Sequence, residues 1–245
     1  MKKINVALVG LRFGGVFAGI YHEHPNVGKL LLYDPDPIPC KHLDNWFGGT
    51  VPFAESFDAI LADPEIDAVH LVTPIPLHAD QTVAVLEAGK HCACTVPMAT
   101  SLDDIRRIVK AKRKSGKNYM MMETTLYTYQ YFYAKHMKEA GEFGKIQFFR
   151  GTHYQDMANW PDYWMGLPPM WYGTHAIGPM VALSDSRICR VNCFGSGTMA
   201  EWMVKNYGNP FPIESALFEF ESGVKGEVTR SLFETARAYQ EGMFR

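Results

Sequence analysis

Residues 4–15 constrain the fold more than any other stretch of the chain. They read as a short apolar strand that meets Gly10, Gly14 and Gly15, and an apolar pattern of helical spacing follows. This order predicts a strand, a glycine turn and a helix. Glycines in such a turn let the backbone approach a pyrophosphate closely, and the free N–H groups of the following helix point at its negative charge. The stretch therefore predicts a dinucleotide-binding turn.

One residue departs from the G-x-G-x-x-G spacing of such turns. Arg12 stands where the middle glycine is expected, next to Phe13. Its guanidinium either swings outward and pairs with a phosphate of the cofactor, or its bulk hinders the close approach that glycine permits. Of these two outcomes, we expect pairing with the phosphate.

An acidic residue ends the second apolar strand, which spans residues 29–33. Asp34 lies nineteen positions beyond Gly15, where a carboxylate can hold the hydroxyls of an adenosine ribose. It favours NAD over NADP, because a carboxylate repels a 2′-phosphate and no basic residue follows until Lys41. The alternative interpretation of Asp34 is a turn residue in an Asp-Pro-Asp-Pro segment.

Strands and helices alternate with short links as far as residue 122, which predicts a doubly wound parallel sheet. Ligands of such a sheet lie outside the carboxyl ends of its strands. Besides the turn itself, we predict cofactor-binding residues at those ends, namely Asp34, Thr73, Pro74, Thr95, Val96, Pro97 and Glu123. His78, at a strand-to-helix turn, is expected to line this site rather than to catalyse.

The pattern changes after Glu123. A helix is predicted over residues 126–140, and strands over residues 145–154, 188–194, 213–220 and 224–232, with little helix between the last three. This order is typical of a mostly antiparallel, open sheet in an α+β domain. We therefore predict two domains, residues 1–122 for NAD(P) binding and residues 123–245 for substrate binding and oligomerisation.

Residues 153–175 hold three of the five tryptophans, with carboxylates and histidines among them. Aromatic rings cover the C–H faces of a polyhydroxylated ligand while polar groups reach its hydroxyls. The predicted substrate-binding residues are Tyr154, Trp160, Trp164, Trp171 and Tyr172. The alternative is an aromatic lid that packs the domains together. His175 is the candidate for proton transfer, since histidine titrates near neutral pH, although a single histidine is often structural.

Composition excludes several classes of partner. The net charge is −2 and the basic residues are scattered, so neither nucleic acid nor an anionic membrane is expected to bind. A signal peptide and a membrane span are not recognisable, which predicts a cytoplasmic protein. The five cysteines are an odd number, which argues for reduced thiols, and Cys92 and Cys94 lack neighbours for a metal site, so no metal is predicted.

Taken jointly, these motifs resemble the Gfo/Idh/MocA oxidoreductases. The resemblance rests on the turn at residues 9–15, on Thr73-Pro74 with His78, on residues 89–91 before the strand that leads to Pro97, and on residues 173–175. It implies an NAD(P)-binding Rossmann domain, a C-terminal domain whose open sheet is often used for oligomerisation, and hydride transfer to or from a carbon of a sugar or polyol.

The chain departs from that family at three points. Thr95-Val96-Pro97 replaces the usual Glu-Lys-Pro, so the family's catalytic lysine is Val96 here. Trp171 replaces an aspartate four positions before the family's histidine, and the chain stops at Arg245, short of the usual length. The second sheet is thus expected to be truncated, and a sheet that ends at Leu232 or soon after is expected to leave an unpaired edge that is covered, paired with another subunit or left prone to aggregation.

Three hypotheses follow from this combination. The first is an NAD-dependent oxidoreductase in which His175, helped by Tyr163 or His153, carries the proton; Lys90 lies at the wrong end of its strand to substitute. The second is a non-catalytic or weakly catalytic protein that binds NAD and a sugar, because of Val96. The third is an enzyme that uses tightly held NAD for transient oxidation during cleavage of a sugar bond.

Overall fold

A computed structural model describes residues 3–157 and 159–234. The chain divides into two compact units, Met1–Met122 and Glu123–Arg245, called the first and second unit below. In the described ranges, no helix combines the length and the apolar character needed to cross a bilayer.

The first unit contains a five-stranded sheet in which all neighbouring strands are parallel. In chain order the strands are β1 (Ile4–Val9), β2 (Val27–Tyr33), β3 (Ala68–Leu71), β4 (His91–Thr95) and β5 (Tyr119–Met122). The helices are α1 (Gly15–Glu23), α2 (Pro37–Phe47), α3 (Phe57–Ala62), α4 (His78–Glu87) and α5 (Leu102–Ser115). The spatial order of strands is β2-β1-β3-β4-β5. The prediction of a doubly wound parallel sheet is confirmed.

Local signals explain where the helices begin. Ser56 and Ser101 accept the N–H groups of Ala59 and Asp104, at 3.0 and 3.1 Å, and so cap α3 and α5. Helix α2 was not predicted from the sequence. Asp36 caps it by accepting the N–H of Ile38 at 2.9 Å.

His70 lies in β3, where 1% of its surface is exposed. Its Nδ1 is 3.1 Å from the hydroxyl of Tyr21, and its ring centroid is 4.9 Å from that of Phe17. Burial lowers the pKa of His70 to about 4. The folded protein therefore takes up this proton only at a pH well below that at which the unfolded chain does.

We expect acidification to destabilise the first unit through His70. Between the ordinary histidine pKa of about 6.5 and the folded value of about 4, the unfolded state binds more protons, so stability is lost as pH falls. The loss attributable to this group is at most roughly 3 kcal/mol. Urea denaturation at a series of pH values should show a smaller fall for His70→Gln. The exposed His42→Gln is the control, and an unchanged fall in His70→Gln would contradict the assignment.

The second unit contains a four-stranded sheet with the spatial order β6-β9-β8-β7. Its strands are β6 (Phe148–Tyr154), β7 (Ile188–Ser196), β8 (Ile213–Phe220) and β9 (Lys225–Ser231), and its helices are α6 (Tyr129–Glu139), α7 (Thr174–Ser184) and α8 (Glu201–Val204). Two of the three strand pairings are antiparallel, and β6 pairs with β9 in parallel. The predicted α+β domain with a mostly antiparallel sheet is confirmed.

Two finer predictions for the second unit are wrong. The helix predicted over residues 126–140 is a 3₁₀ turn, Thr124–Tyr127, followed by α6, because Thr128 caps a new helix at the N–H of Tyr131. The last strand is not an unpaired edge, since β9 pairs with β6 on one side and β8 on the other. The predicted truncation at Arg245 falls within residues 235–245, which lie outside the described residues.

Candidate cofactor and proton-transfer sites

The glycine turn requires glycine for steric reasons. Gly10 has a φ of +89°, and a Cβ there would lie 2.4 Å from the carbonyl oxygen of Val72. A Cβ on Gly14 would lie 1.9 Å from the oxygen of Gly10. The turn is thus packed against the end of β3, at the point where the strand order changes direction on either side of β1. Helix α1 starts here without a side-chain cap.

Asp34 lies beside this turn, half-buried at the end of β2. Its carboxylate accepts the N–H of Leu11 at 2.6 Å and the N–H of Asp36 at 2.9 Å. The second bond is the turn-forming role that the sequence left open, and the first places the carboxylate at the glycine turn. The turn-forming role of Asp34 is thus observed, and its contact with the hydroxyls of an adenosine ribose stays a prediction.

Arg12 is exposed next to the glycine turn and pairs with a carboxylate of the first unit. Its guanidinium forms an ion pair with the carboxylate of Asp36, and 71% of its side chain is exposed. Phe13, beside it, is also exposed. Pairing of Arg12 with a phosphate of the cofactor therefore stays a prediction.

His78 joins the ends of β3 and β4. It is buried, with Nδ1 2.8 Å from the carbonyl oxygen of Pro97 and Nε2 2.8 Å from that of Thr73. Burial lowers the pKa of His78 more than the two carbonyls raise it. Val96 is buried as well, whereas Pro74 is exposed and Thr95 is partly exposed. His78 thus supports the loops that carry several of the predicted cofactor-binding residues.

Lys90 lies at the amino end of β4, opposite the strand ends that carry the predicted cofactor-binding residues. Its Nζ donates to the carbonyl oxygens of Asp63 and Ile66, at 2.5 and 3.0 Å. Only 4% of Lys90 is exposed, and burial lowers its pKa. These bonds join the segment before β3 to the start of β4, which is a structural role for Lys90.

In the second unit, Glu123 and His175 form a close pair that the sequence analysis did not connect. His175 Nδ1 is 2.5 Å from Glu123 Oε1, which also accepts the N–H and the hydroxyl of Thr125 at 3.0 and 2.7 Å. Burial acts to raise the pKa of Glu123, but the hydrogen bonds from His175 and Thr125 outweigh it and the pKa is lowered. The pair is an imidazole oriented by a carboxylate.

Gly178 explains how the pair fits. A Cβ on this residue of α7 would lie 3.0 Å from Cγ of Glu123. Glycine at this position, three residues after His175 and so on the same face of the helix, leaves room for the glutamate. The Gly178 position is the sequence signal that could have indicated a neighbour for His175.

Tyr172 contacts the other side of the His175 ring. Its hydroxyl is 3.3 Å from His175 Nε2, and burial raises the pKa of Tyr172 to about 12. His153 lies with its ring centroid 5.3 Å from that of His175. Burial, reinforced by the charge of Arg230, lowers the pKa of His153 to about 2, so this ring is neutral at physiological pH. A neutral, 1% exposed His153 is poorly suited to supply a proton.

Tyr163, the third predicted catalytic residue, lies nine residues before Tyr172 in the aromatic segment. Its ring packs on Trp164 at a centroid distance of 5.6 Å, and its carbonyl accepts the hydroxyl of Tyr207 at 2.5 Å. No bond within the described ranges joins Tyr163 to His175. Burial raises the pKa of Tyr163.

Arg230 is a residue of this site that sequence reasoning missed. It is fully buried, and it donates to the carbonyl oxygens of Tyr172 and His153, both at 2.8 Å, and to Oε1 of Gln155 at 2.6 Å. Burial lowers the pKa of Arg230 to about 9, so it remains charged at neutral pH. Nothing in the sequence around a single arginine in a strand indicates that it will be buried and donate hydrogen bonds to distant carbonyl groups.

The aromatic residues divide into two groups. Trp164 contacts both Trp160 and Tyr172, with centroid distances of 5.3 and 4.8 Å. Trp171 packs instead on Tyr207, at 5.8 Å. Tyr154, the last residue of β6, is half-buried. Trp160, Trp164 and Tyr172 therefore form one continuous set beside His175, and Trp171 lies outside it.

Four buried polar atoms around this pair have no hydrogen-bond partner among residues 3–157 and 159–234. They are Glu123 Oε2, His153 Nδ1, Trp164 Nε1 and Thr174 Oγ1. Buried polar groups in native proteins are nearly always satisfied, so four exceptions in one place require a bound water, ion or ligand, or a chemical role. The cluster is therefore the best candidate in the second unit for a site that binds a polar ligand.

Comparison with known proteins covers both units. Residues 4–123 match the model of a family described as oxidoreductases with an NAD-binding Rossmann fold. A levoglucosan dehydrogenase from Pseudarthrobacter phenanthrenivorans is 32% identical over 197 residues, 76% of this chain and 48% of that protein. A glycosyl hydrolase family 109 protein from Bacteroides thetaiotaomicron is 31% identical over 124 residues, 47% of this chain and 27% of that protein.

Among solved structures, scyllo-inositol dehydrogenase from Lactobacillus casei with bound NAD(H) and scyllo-inositol has a TM-score of 0.78. It is 20% identical, and the match covers 94% of this chain and 70% of that one. At this identity the likeness concerns the fold. The chain spans about a quarter to a half of the length of the two sequence relatives.

Proposed function

Because the chain belongs to the Gfo/Idh/MocA oxidoreductase family, we propose that it is an NAD-dependent enzyme that transfers a hydride between nicotinamide and a sugar or polyol carbon. The observation that carries this proposal is the contact between His175 and Glu123, an acid/base candidate with its orienting carboxylate. Relatives that act on levoglucosan and inositol support the substrate class.

The residues of the first unit fit a dinucleotide. Gly10 and Gly14 admit no side chain, α1 begins without a side-chain cap, and the carboxylate of Asp34 lies at the turn. We assign the pyrophosphate to the turn, with Gly15, Arg12 and Phe13 beside it, and the adenosine ribose to Asp34. The remaining strand-end residues are proposed to line the nicotinamide side, namely Thr73, Pro74, His78, Thr95, Val96 and Pro97. When bound, NAD supplies the hydride acceptor or donor.

The missing lysine lowers the expected rate without removing the chemistry. A positioned acid or base contributes about 10²- to 10⁴-fold, or roughly 3–5 kcal/mol, whereas holding the two reacting carbons together supplies about 7–11 kcal/mol. Val96 cannot transfer a proton, and Trp171 cannot replace the family's aspartate. His175 is therefore the proposed final acceptor of the proton, with Glu123 in the orienting role.

Asp34 provides a test of cofactor choice. Asp34→Asn keeps an oxygen for the N–H of Leu11 but loses the charge that repels a 2′-phosphate. We expect NADH to bind about tenfold more weakly, and the preference for NADH over NADPH to shrink, because the ribose hydroxyls lose a charge-assisted bond. Fluorescence titration with each reduced cofactor measures both. Asp58→Asn, exposed in α3, is the control, and unchanged preference in Asp34→Asn would contradict the assignment.

The function itself is tested by following absorbance of the reduced nicotinamide. Purified protein is incubated with NAD⁺ and scyllo-inositol, myo-inositol, levoglucosan and a panel of hexoses. Turnover of at least one of them, lost in His175→Ala, is expected. Demonstrated NAD binding without turnover of any substrate would favour the alternative, a non-catalytic NAD- and sugar-binding protein. In that case Val96→Lys is the variant expected to create activity.

A second enzymatic candidate is cleavage of a glycosidic bond through transient oxidation. Its support is the glycosyl hydrolase family 109 relative, whose similarity covers less than half of this chain. Such an enzyme retains its cofactor through purification and releases sugar with no net NADH. Aryl glycosides with chromogenic leaving groups distinguish it from a dehydrogenase.

We further propose that the protein acts in the cytoplasm as a homo-oligomer formed through the second sheet. Three large apolar residues on one face of that sheet, Phe148, Phe194 and Leu217, are 47–63% exposed. The same face also carries the ion pairs Arg150–Glu227 and Lys225–Glu219, so the support for a contact between subunits is the exposure of these three side chains on an open sheet. Light scattering of the wild type and of a Leu217→Lys variant tests the assembly, and a monomeric wild type would contradict it.

A further inference from the structure

Both ring nitrogens of His175 are already engaged within the second unit. Nδ1 faces Oε1 of Glu123 at 2.5 Å, and Nε2 faces the hydroxyl of Tyr172 at 3.3 Å. A carboxylate only accepts hydrogen bonds, so it selects the tautomer in which Nδ1 carries the proton. Nε2 is then the acceptor, and the hydroxyl of Tyr172 is its donor.

Tyr172 is held in place by the buried arginine. Arg230 Nε donates to the carbonyl oxygen of Tyr172 at 2.8 Å, and its guanidinium carbon lies 5.5 Å from the centre of the tyrosine ring. Burial raises the pKa of Tyr172 to about 12 although the charge of Arg230 acts to lower it, so the phenol stays protonated and can donate to His175. The hydroxyl keeps its oxygen lone pairs for a further donor while it donates to His175.

We propose that Tyr172, rather than His175, is the residue that exchanges the proton with the substrate hydroxyl, and that His175 and Glu123 form the rest of a three-member relay. This inference rests on the proposed function and assigns a catalytic role to a residue that sequence reasoning placed only among the substrate-binding aromatics.

The proton and electron balance of the oxidation is complete. The substrate C–H bond breaks and its hydrogen leaves with the electron pair to NAD⁺, while the O–H bond breaks and a C=O bond forms. The hydroxyl proton goes to the oxygen of Tyr172, and the proton that Tyr172 held goes to Nε2 of His175. The resulting imidazolium keeps its Nδ1 proton, which faces the carboxylate of Glu123. In the reduction, each proton moves in the opposite direction.

The chain offers a closely matched control for removal of one tyrosine hydroxyl. Tyr21 is also half-buried, and its hydroxyl lies 3.1 Å from a histidine nitrogen, Nδ1 of His70. Tyr172→Phe and Tyr21→Phe therefore remove the same kind of hydrogen bond. Only the first removes a member of the relay.

The experiment measures formation of NADH in a single turnover, with a substrate from the panel above. Tyr172→Phe is expected to slow it about 10²-fold with KM within threefold of the wild type, and Tyr21→Phe to leave it unchanged. The rate is also measured in mixtures of H₂O and D₂O. A plot of the wild-type rate against the deuterium fraction should be curved, because two protons move in the step. The same plot for Tyr172→Phe should be a straight line. A Tyr172→Phe rate within threefold of wild type overturns the relay and leaves the proposed function intact.

A readout independent of turnover separates the two proposals. With ¹⁵N-labelled histidine, the Nε2 resonance of His175 should shift in Tyr172→Phe and stay in place in Tyr21→Phe. An unshifted resonance overturns the relay. A shifted resonance in a protein that turns over no substrate supports the hydrogen bond but contradicts the proposed function, and the relay falls with it.

Discussion

Glu123→Gln is expected to slow the chemical step by about 10³-fold, which corresponds to roughly 4 kcal/mol of barrier. Oε1 of the glutamine can still accept the bonds from His175 and Thr125, so the geometry is retained. The amide, however, carries no charge to stabilise the imidazolium that forms when His175 takes a proton. It can also turn its NH₂ group toward His175 and select the wrong tautomer.

Single-turnover formation of NADH measures this effect, and urea denaturation verifies the fold. Glu214→Gln is the matched control, since Glu214 is a half-buried carboxylate of the same unit that accepts the N–H of Met170 at 2.7 Å. Its rate should stay within threefold of the wild type. If Glu123→Gln reacts at the wild-type rate, His175 needs no carboxylate, and the pair loses its proposed role.

The first unit was largely predictable because its signals are local. Apolar runs, glycine turns and serine caps each span a few residues, and they gave the parallel sheet and most of its helices. Helix α2 was missed because Asp36 and Pro37 were interpreted as a turn, although they also form a cap followed by a proline in the first helical turn. Gly48, which ends α2 with a φ of +59°, was the second signal.

The second unit shows what local signals leave out. Its strands were predicted, but the insertion of β9 between β6 and β8 depends on packing across the sheet, which no stretch of sequence displays. The candidate site likewise depends on contacts between residues that are far apart in the sequence. Glu123 and His175 are 52 positions apart, and Arg230 and Tyr172 are 58 apart. His175 could be identified by its residue type, whereas its carboxylate partner required the fold.

The same distinction applies to the tyrosines. Tyr163 and Tyr172 lie in one aromatic segment, and the sequence offered no means of ranking them as neighbours of His175. The structure ranks them by contact, because Tyr172 lies three residues before His175 and its hydroxyl reaches Nε2. Tyr163 is directed to Trp164 instead. The catalytic role of either residue remains a prediction for the kinetic experiments above.

Arg230→Met is expected to have the largest effect on stability, a loss of roughly 3–5 kcal/mol in the free energy of unfolding of the second unit. Methionine fills much of the volume but leaves the buried carbonyl oxygens of Tyr172 and His153, and Oε1 of Gln155, without their donor. Unpaired buried acceptors account for most of the loss. Arg230→Lys should lose less, because an ammonium can still donate to some of these oxygens.

Urea denaturation followed by tryptophan fluorescence measures this loss, since four of the five tryptophans belong to the second unit. Arg150→Met is the control: Arg150 is an exposed arginine of β6 that pairs with Glu227, and its loss should cost less than about 1 kcal/mol. A loss below about 1 kcal/mol in Arg230→Met would show that these oxygens find other donors. Tyr172 would then have no anchor beneath it, and the relay would need a different explanation for the orientation of its hydroxyl.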